Sequence, residues 1–392
     1  MCPVWVHRFA VLTAGATLVL IFVGALVTST GSGLAVPDWP LSFGQVFPPM
    51  VGGVLFEHGH RLAAALVGLL TVALMVLLTQ WESRIWVRWL ARGAVLAVLL
   101  QGTLGGMTVL LRLPLVVSVT HACLAQAFLC LVITLAVCTA PGWQAPLAGR
   151  AEQQQPPLWV LVAITVGMVY LQLVLGALMR HMGAGLAIPD FPLAFGRLVP
   201  PLETSAVVVH FLHRLGALAV TLCVGWLMAR ILSQYRAKKR LLRPALLLAG
   251  LVLLQLTLGA LTIWTRRAVL PMTAHVAVGA AVLATSVVIA LRAVRLTAAP
   301  AAVPGQGFLS GRGINEMDPS LCGAVVIRQS TNPILPVEPL RPTGKSNRAR
   351  AHAHEREGAD RRPTFGAKPE NIVSLSALLL LTMPDWVMFQ MS

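Results

Sequence analysis

The stretch GSGLAVPDWPLSFG at residues 31–44 recurs as GAGLAIPDFPLAFG at residues 183–196, and ten of the fourteen positions are identical. A His-Arg pair follows each copy at the start of a long apolar run: His60-Arg61 and His213-Arg214. Another histidine begins a later apolar run after each pair: His121 and His275. An internal period of this kind indicates a repeated architecture. The chain is therefore predicted to be a duplicated unit.

Composition indicates the medium in which these repeats lie. Hydrophobic residues make up 57% of the chain and charged residues only 11%, and the mean hydropathy is +0.78. These values place the chain in a lipid bilayer. The formal charge of +16 does not predict nucleic-acid binding, because the basic residues lie mainly in short segments between apolar runs, where they set membrane orientation.

Eight apolar runs approach or exceed the length of about 20 residues that a helix needs to cross the hydrocarbon core. They cover approximately residues 9–30, 60–80, 93–111, 117–139, 158–179, 210–232, 245–265 and 272–291. With the duplication, they predict an all-α integral membrane protein whose eight transmembrane helices form two repeated four-helix bundles. Membrane lipid is the expected surrounding of these helices.

The repeat also predicts the domain organisation. Residues 1–139 would form the N-terminal four-helix half and residues 158–296 the C-terminal half, joined by a cytoplasmic linker at residues 140–157. Residues 297–392 are polar and rich in proline and arginine, which predicts a disordered tail.

Basic residues in the connections predict the orientation in the cell (inner) membrane. The segments after spans two and six are rich in lysine and arginine, whereas residues 31–56 contain neither. Cytoplasmic loops carry the excess of basic residues. Both chain termini are therefore predicted to be cytoplasmic, although four arginines on the predicted outer side weaken the rule: Arg180, Arg197, Arg266 and Arg267.

Four histidines occupy equivalent places in the duplicated unit. They are predicted at or within about one turn of the outer ends of spans two, four, six and eight: His60, His121, His213 and His275. A charged side chain at membrane depth costs roughly 2.5–3.5 kcal/mol on insertion scales, so such residues usually mark function. One histidine at a helix end is more often an interfacial residue, but two pairs in register predict ligation.

Two imidazoles from two helices suit heme better than zinc. Zinc takes four protein ligands, or three and a water, and no cysteine or third histidine is in register. A heme needs two axial nitrogens, and helix bundles commonly hold hemes. Each half is therefore predicted to bind one heme. Arg61 and Arg214 would meet the propionates near the helix N-termini, or alternatively extend to lipid phosphates.

The halves differ three residues before the first histidine of each pair, where Glu57 precedes His60 and His210 precedes His213. An i,i+3 separation places both members of a pair on one helix face. Glu57 could accept or relay protons at a heme edge; alternatively, it caps the helix or pairs with Arg61.

Three other features are predicted to be structural. His58 is two residues before His60 and therefore lies on nearly the opposite helix face, so a surface role is expected. Asp38 and Asp190 are expected to hold turn geometry in a lid over each heme. The six cysteines show no metal-type spacing and are interpreted as packing residues without disulfides.

These motifs together resemble the heme A synthase family over about residues 5–295. The likeness rests on the repeated stretch, on Glu57-His58-Gly59-His60-Arg61 and on the remaining histidines of the pairs. The resemblance implies an oxidoreductase that oxidises a ring methyl of heme O to the formyl group of heme A by successive hydroxylations. It implies that His60 and His121 receive the substrate heme O, that Glu57 is the catalytic carboxylate, and that His213 and His275 hold a resident heme b.

The resemblance also implies an electron-transfer partner and a heme O synthase as supplier; it leaves a homo-oligomer open. Many family members carry a cysteine pair in the first outer loop. Residues 31–56 contain no cysteine, so the chain resembles the cysteine-free branch. A diheme electron carrier or quinol-linked reductase would use the same histidines without Glu57, and a transporter with parallel repeats would bind no heme.

Overall fold

The computed structural model describes residues 2–143 and 155–297. Eight α-helices cover most of them: α1 Val4–Ser29, α2 Gly53–Trp81, α3 Ile85–Leu110, α4 Leu115–Cys138, α5 Leu158–His181, α6 Ser205–Gln234, α7 Lys239–Trp264 and α8 Val269–Thr297. All eight are long and apolar enough to cross a membrane. Among the described residues, β-structure is limited to isolated bridges at Ser42–Gln45 and Ala194–Arg197. The predicted all-α, eight-span membrane protein is confirmed.

The helices pack in two rings. In the first, α1 and α3 each contact both α2 and α4; in the second, α5 and α7 each contact both α6 and α8. The helices α2 and α4 are therefore diagonal to each other, as are α6 and α8. The helices of the first ring lie within residues 1–139 and those of the second within residues 158–297, next to the predicted halves 1–139 and 158–296. Their division stays a proposal, because α4 and α8 also contact helices of the other ring.

Small side chains allow the helices to approach closely. The core of the first ring contains alanines from three of its helices and also Ala280 and Ala284 of α8. The core of the second ring is joined by Cys130 and Ile133 of α4. Helix association in membranes depends on such close packing, since lipid tails provide no hydrophobic driving force between helices.

The ends of α1 and α5 explain why each repeat begins with glycine. Gly31 and Gly183 both have φ of +69°, a left-handed conformation that glycine adopts without steric cost. After α1, the N–H of Ser32 donates to the carbonyl of Val27 at 2.9 Å. These are features of a Schellman motif, which satisfies the last carbonyls of a helix.

Seven of the eight helices begin earlier than the apolar runs indicated. The second helix starts at Gly53 rather than at residue 60, and the sixth starts at Ser205 rather than at residue 210. In α2 the predicted run was too short because two buried polar residues that the hydropathy pattern excludes, Glu57 and His58, lie near the start of the helix. The four histidines are the eighth, seventh, ninth and seventh residues of their helices. They lie roughly 9–12 Å along the helix axis from its start, deeper than the predicted single turn.

Two predicted segments lie largely outside the described residues. In the linker, residues 144–154 are not described, and neither are residues 298–392 of the tail. Among the cysteines that the structure describes, all five are free thiols, as predicted: Cys2, Cys123, Cys130, Cys138 and Cys223.

Candidate functional site

An aspartate carboxylate closes each repeat loop. Asp38 accepts the backbone N–H of Phe43 at 2.7 Å and of Gly44 at 2.8 Å. The equivalent bonds in the second loop, each 2.8 Å, join Asp190 to Phe195 and Gly196. Because the N–H groups of Gly44 and Phe43 stabilise the charged form, the pKa of Asp38 lies below its ordinary value. The predicted turn-holding role of Asp38 and Asp190 is confirmed; a lid over heme stays a prediction.

Two arginines fasten these loops to α2 and α6. The Arg61 guanidinium donates to the main-chain oxygens of Val36 at 3.3 Å, Asp38 at 2.7 Å and Leu41 at 2.9 Å. Arg214 donates in the same way to Ile188 at 3.2 Å, Asp190 at 2.6 Å and Leu193 at 2.8 Å. Most of their donor groups therefore hold the loop, while Nε of Arg214 is buried without a partner among the described residues. Their contact with propionates stays a prediction.

Glu57 is buried beneath the first loop, with both carboxylate oxygens engaged. One oxygen accepts the backbone N–H of Val36 at 2.8 Å and the other accepts from Arg61 at 2.6 Å. This is the ion pair with Arg61 that the sequence allowed as an alternative. The carboxylate therefore has a loop-anchoring contact, and its catalytic role is a proposal.

His210 occupies the equivalent position under the second loop. Its Nδ1 lies 3.3 Å from the backbone nitrogen of Ile188 and 3.1 Å from the carbonyl oxygen of Ala184. Ile188 is the repeat equivalent of Val36, so Glu57 and His210 contact the same position of their loops. One half uses a carboxylate for this contact and the other uses an imidazole.

The surface role predicted for His58 is wrong. His58 is only 5% exposed, and its Nδ1 lies 2.8 Å from the hydroxyl oxygen of Ser42. Helical periodicity does turn this side chain away from His60, but the face it occupies is covered by the first repeat loop. Periodicity alone could not reveal that cover.

Each of the four histidines packs against a glycine on a neighbouring helix. A Cβ placed on Gly24 would lie 2.9 Å from Cε1 of His60, and one on Gly105 would lie 3.2 Å from Cε1 of His121. In the second ring, a Cβ placed on Gly176 would lie 3.0 Å from Cε1 of His213, and one placed on Gly259 would lie 3.3 Å from Cε1 of His275. These glycines were not predicted from the sequence. Their equivalent places in the two repeats were the signal that could have found them.

The histidines of each predicted pair belong to diagonal helices of one ring. The rings of His213 and His275 have centroids 6.3 Å apart and planes inclined at 66°. Three of the four histidines have an Nδ1 that is buried without a hydrogen-bond partner among the described residues: His60, His121 and His275. Buried polar atoms without partners are uncommon in folded proteins, and three of the ten such atoms among the described residues lie on the predicted ligands.

The separation of His213 and His275 fits a heme. Metal–imidazole bonds of about 2 Å place two rings on opposite sides of one metal with centroids roughly 6 Å apart, close to the 6.3 Å between His213 and His275. Within residues 2–143 and 155–297, no group of three or more His, Cys, Asp or Glu side chains could hold a metal ion. A pair of imidazoles suits a metal that brings its own equatorial ligands, as heme iron does.

A further polar cluster joins the two rings near the repeat loops. The Arg180 guanidinium donates to the carbonyl of Ala25 at 2.7 Å and to the Ser29 hydroxyl at 2.8 Å. The Thr273 hydroxyl also donates to Ser29, at 2.8 Å. Arg180, which weakened the orientation rule in the sequence, therefore has a structural position between helices. These contacts place both repeat loops at the same end of the molecule.

A family model described as cytochrome oxidase assembly protein, COX15-CtaA, matches residues 51–287, more than half of the chain. The chain belongs to this family. The matched range includes Glu57 and all four histidines. It begins after the first repeat loop, so the geometry of that loop comes from the structure alone.

Individual proteins similar to this COX15-CtaA member have the name heme A synthase. The protein of Symbiobacterium thermophilum is 36% identical over 62% of this chain and 81% of its own length. That of Shouchella clausii is 33% identical over 67% of the chain and 88% of its own length. That of Alkalihalophilus pseudofirmus is 29% identical over 66% of the chain and 88% of its own length. The likeness extends over most of each relative.

Proposed function

We propose that this protein is a heme A synthase that oxidises the ring methyl of heme O to the formyl group of heme A. The observation that carries the proposal is the pair of partly buried imidazoles of His213 and His275, whose ring centroids are 6.3 Å apart, with His60 and His121 at the equivalent positions of the first ring. Membership of the COX15-CtaA family and relatives named heme A synthase support it.

The proposed conversion proceeds by two hydroxylations and loss of water from the geminal diol. With water as the oxygen source, the methyl group and one water molecule give the formyl group, four protons and four electrons. An acceptor of the quinone or heme-protein class takes the electrons. Isotope-labelled water and dioxygen would identify the source of the inserted oxygen.

In the N-terminal half, His60 and His121 would hold the iron of heme O from opposite sides. Glu57 lies three residues before His60 on the same face of α2, and its ion pair with Arg61 and its bond from Val36 fix its position. We assign it the acceptance of protons released at the reacting carbon. General-base catalysis of this kind contributes about 10²–10⁴-fold to a rate.

In the C-terminal half, His213 and His275 would hold a resident heme b. When bound, a heme b supplies one-electron transfer between the substrate site and an external partner. The unpartnered Nε of Arg214 is the donor we assign to one propionate. Arg61, whose Nη atoms hold the first loop, would contribute its positive charge in the other half.

The orientation in the membrane belongs to the same proposal. The basic segments after α2 and α6 would face the cytoplasm, as would both termini, and both repeat loops would lie outside. A heme O synthase would supply heme O laterally through the lipid. Reporter fusions after residue 92 and within residues 31–44 test this orientation, since only one of the two should report the cytoplasm.

The test of the proposal is to supply heme O, purify the protein and identify the extracted pigments by mass. We expect heme b together with heme A or a hydroxylated intermediate. Glu57→Ala should retain pigment and form no heme A. Glu203→Ala, which changes an exposed loop carboxylate, should behave as the unchanged protein. A colourless protein, or undiminished heme A from Glu57→Ala, would reject the respective assignment.

A diheme electron carrier is the second candidate. The observation in its favour is that both oxygens of Glu57 have structural partners, as an anchoring residue would. A carrier would yield unmodified heme in both halves, whatever the residue at position 57. Pigment analysis therefore separates the two candidates.

A further inference from the structure

We propose that three glutamines orient three of the four histidines, and that His60, which lacks such a glutamine, is the ligand that allows heme to exchange in the N-terminal half. The glutamines are Gln101, Gln172 and Gln255. This inference rests on the proposed function, because it explains how one chain could retain heme b and still release heme A.

The glutamine side chains lie directly on their histidines. Nε2 of Gln101 donates to the main-chain oxygen of His121 at 2.9 Å and lies 3.3 Å from its ring Nε2. Nε2 of Gln172 donates to the main-chain oxygen of His213 at 2.8 Å and lies 3.1 Å from its ring Nδ1. An iron-bound imidazole donates a hydrogen bond through its other ring nitrogen. The acceptor it needs is the amide oxygen Oε1, which is buried without a partner among the described residues in all three glutamines.

The third glutamine makes the corresponding ring contact. Nε2 of Gln255 lies 3.3 Å from Nε2 of His275. A Cβ placed on Gly279 would lie 3.2 Å from this amide nitrogen. Since Gly279 is one turn after His275 on α8, the amide lies along the same helix face as the histidine.

Each glutamine is four residues before the glycine on which its histidine packs. The three motifs are Gln101-Gly105, Gln172-Gly176 and Gln255-Gly259. Residues four apart are neighbours on one helix face, so amide and glycine form one surface against the imidazole. In α1, the residue four before Gly24 is Leu20, which has no amide to form a hydrogen bond.

The helix that faces Gln172 also differs between the halves, at a position next to the glutamine side chain. A Cβ on Gly216 would lie only 2.1 Å from Oε1 of Gln172, so this glycine makes room for the amide. The repeat equivalent of Gly216 is Ala63, three residues after His60. The first half therefore has leucine and alanine where the second half has glutamine and glycine.

The consequence is a difference in how firmly the histidines are held. Residues that orient a metal-bound histidine typically change metal affinity by about 10–100-fold when they are removed. Among the described residues, no hydrogen bond holds the ring of His60, and its Nδ1 is buried without a partner. A synthase must release its product from one site and retain its electron carrier in the other. The less restrained histidine lies in the half that we assign to the substrate.

The test exchanges the two arrangements between the halves. Leu20→Gln with Ala63→Gly installs the glutamine contact beside His60, and Gln172→Leu with Gly216→Ala removes it from His213. Transfer of heme from the purified holoprotein to excess apomyoglobin is followed, and the transferred pigment is identified. We expect the first pair to slow the release of heme O or heme A by about 10–100-fold, and the second to accelerate the release of heme b by a similar factor.

Electron paramagnetic resonance gives a readout that a general loss of stability would not move. The low-spin ferric signal depends on the orientation of the axial imidazoles, so each exchange should shift the signal of one heme and leave the other. Leu20→Met and Gln126→Leu serve as controls. The first adds no donor, and the second removes a buried glutamine five residues after His121; both should leave release and signals unchanged.

The single variant Gly216→Ala tests the inference even if a double variant does not fold. Its added Cβ would meet only the end of the flexible Gln172 side chain, so the amide moves while the helices stay. Unchanged heme b release and an unchanged signal in this variant would overturn the inference and leave the proposed function standing. A protein without any heme would overturn both.

Discussion

The two loop-helix contacts of this protein differ in chemistry although they occupy equivalent positions of the repeats. In the N-terminal half, Glu57 accepts the N–H of Val36 and pairs with Arg61. In the C-terminal half, His210 lies against the equivalent Ile188. Either side chain can anchor the loop, so anchoring does not explain why the halves differ. The comparison indicates that the carboxylate has a second role, which we propose is proton acceptance.

The largest effect is expected from Glu57→His, which gives the N-terminal half the residue of the C-terminal half. The imidazole can keep the contact with Val36, so pigment should remain. Heme A formation should fall by about 10²–10⁴-fold, because a neutral imidazole whose Nδ1 accepts the Val36 N–H carries its hydrogen on Nε2 and has no nitrogen left to accept a proton. Pigment extraction after a timed supply of heme O measures the rate.

The reciprocal His210→Glu is the matched control for this change. It places a carboxylate in the half assigned to electron transfer, and heme A formation should continue. If Glu57→His forms heme A at the unchanged rate, Glu57 serves only as an anchor for its loop, as His210 does in the other half.

A smaller effect is expected from alanine at the glycines beneath the histidines. In Gly176→Ala and Gly24→Ala, the new Cβ would lie 3.0 and 2.9 Å from an imidazole carbon. Overpacking of this kind costs typically 1–3 kcal/mol, which corresponds to roughly tenfold or more in heme retention. Gly176→Ala should have the larger effect, since Gln172 restrains His213 and no equivalent residue among those described restrains His60.

Two other glycines provide matched controls in the same helices. A Cβ on Gly15 or Gly167 would have no atom within 4 Å, so alanine there should leave heme content unchanged. Titration of the apoprotein with heme, followed by absorbance, measures all four variants. Equal losses for Gly24→Ala and Gly176→Ala would contradict the proposed difference in restraint.

The smallest effect concerns the loops on acidification. The main-chain N–H groups lower the pKa of both Asp38 and Asp190. Their contribution to loop stability is therefore present above the ordinary aspartate pKa of about 4 and is lost as pH falls through the lower folded-state value. Asp38→Asn should loosen the first loop at neutral pH and remove this acid dependence.

Trp39 reports the first loop, because its ring packs against Gly106 of α3. Its fluorescence should shift to longer wavelength when the loop loosens. Trp39→Phe introduces the residue that the second loop has at the equivalent position. Subtracting the emission spectrum of this variant leaves the signal of Trp39 without that of the other tryptophans. An emission spectrum that does not change with pH in the acid range would contradict the role of Asp38.

Much of the fold was predictable from the sequence. Eight hydrophobic runs of sufficient length predicted the spans, since a bilayer requires long apolar helices. The positions of His60, His121, His213 and His275 followed from the duplication. The start of α2 did not, because Glu57 and His58 are polar residues whose burial depends on the covering loop.

The candidate site was predictable only in part. The repeat placed the histidines and Glu57, but it did not reveal that Glu57 pairs with both Arg61 and the loop. The glutamines were also missed, although Gln-x-x-x-Gly occurs before three of the four histidines. Gln172 is 41 residues from His213 along the chain, so only helix packing brings the two together.

The sequence by itself determined the membrane environment, the number of helices and the placement of four imidazoles, because hydropathy and periodicity are properties of local segments. The tertiary structure decided which atoms meet. It closed the loop over His58, engaged both oxygens of Glu57 and restrained three histidines with glutamines while leaving His60 without one. These contacts join residues far apart in the chain, and their distances depend on how closely the helices approach.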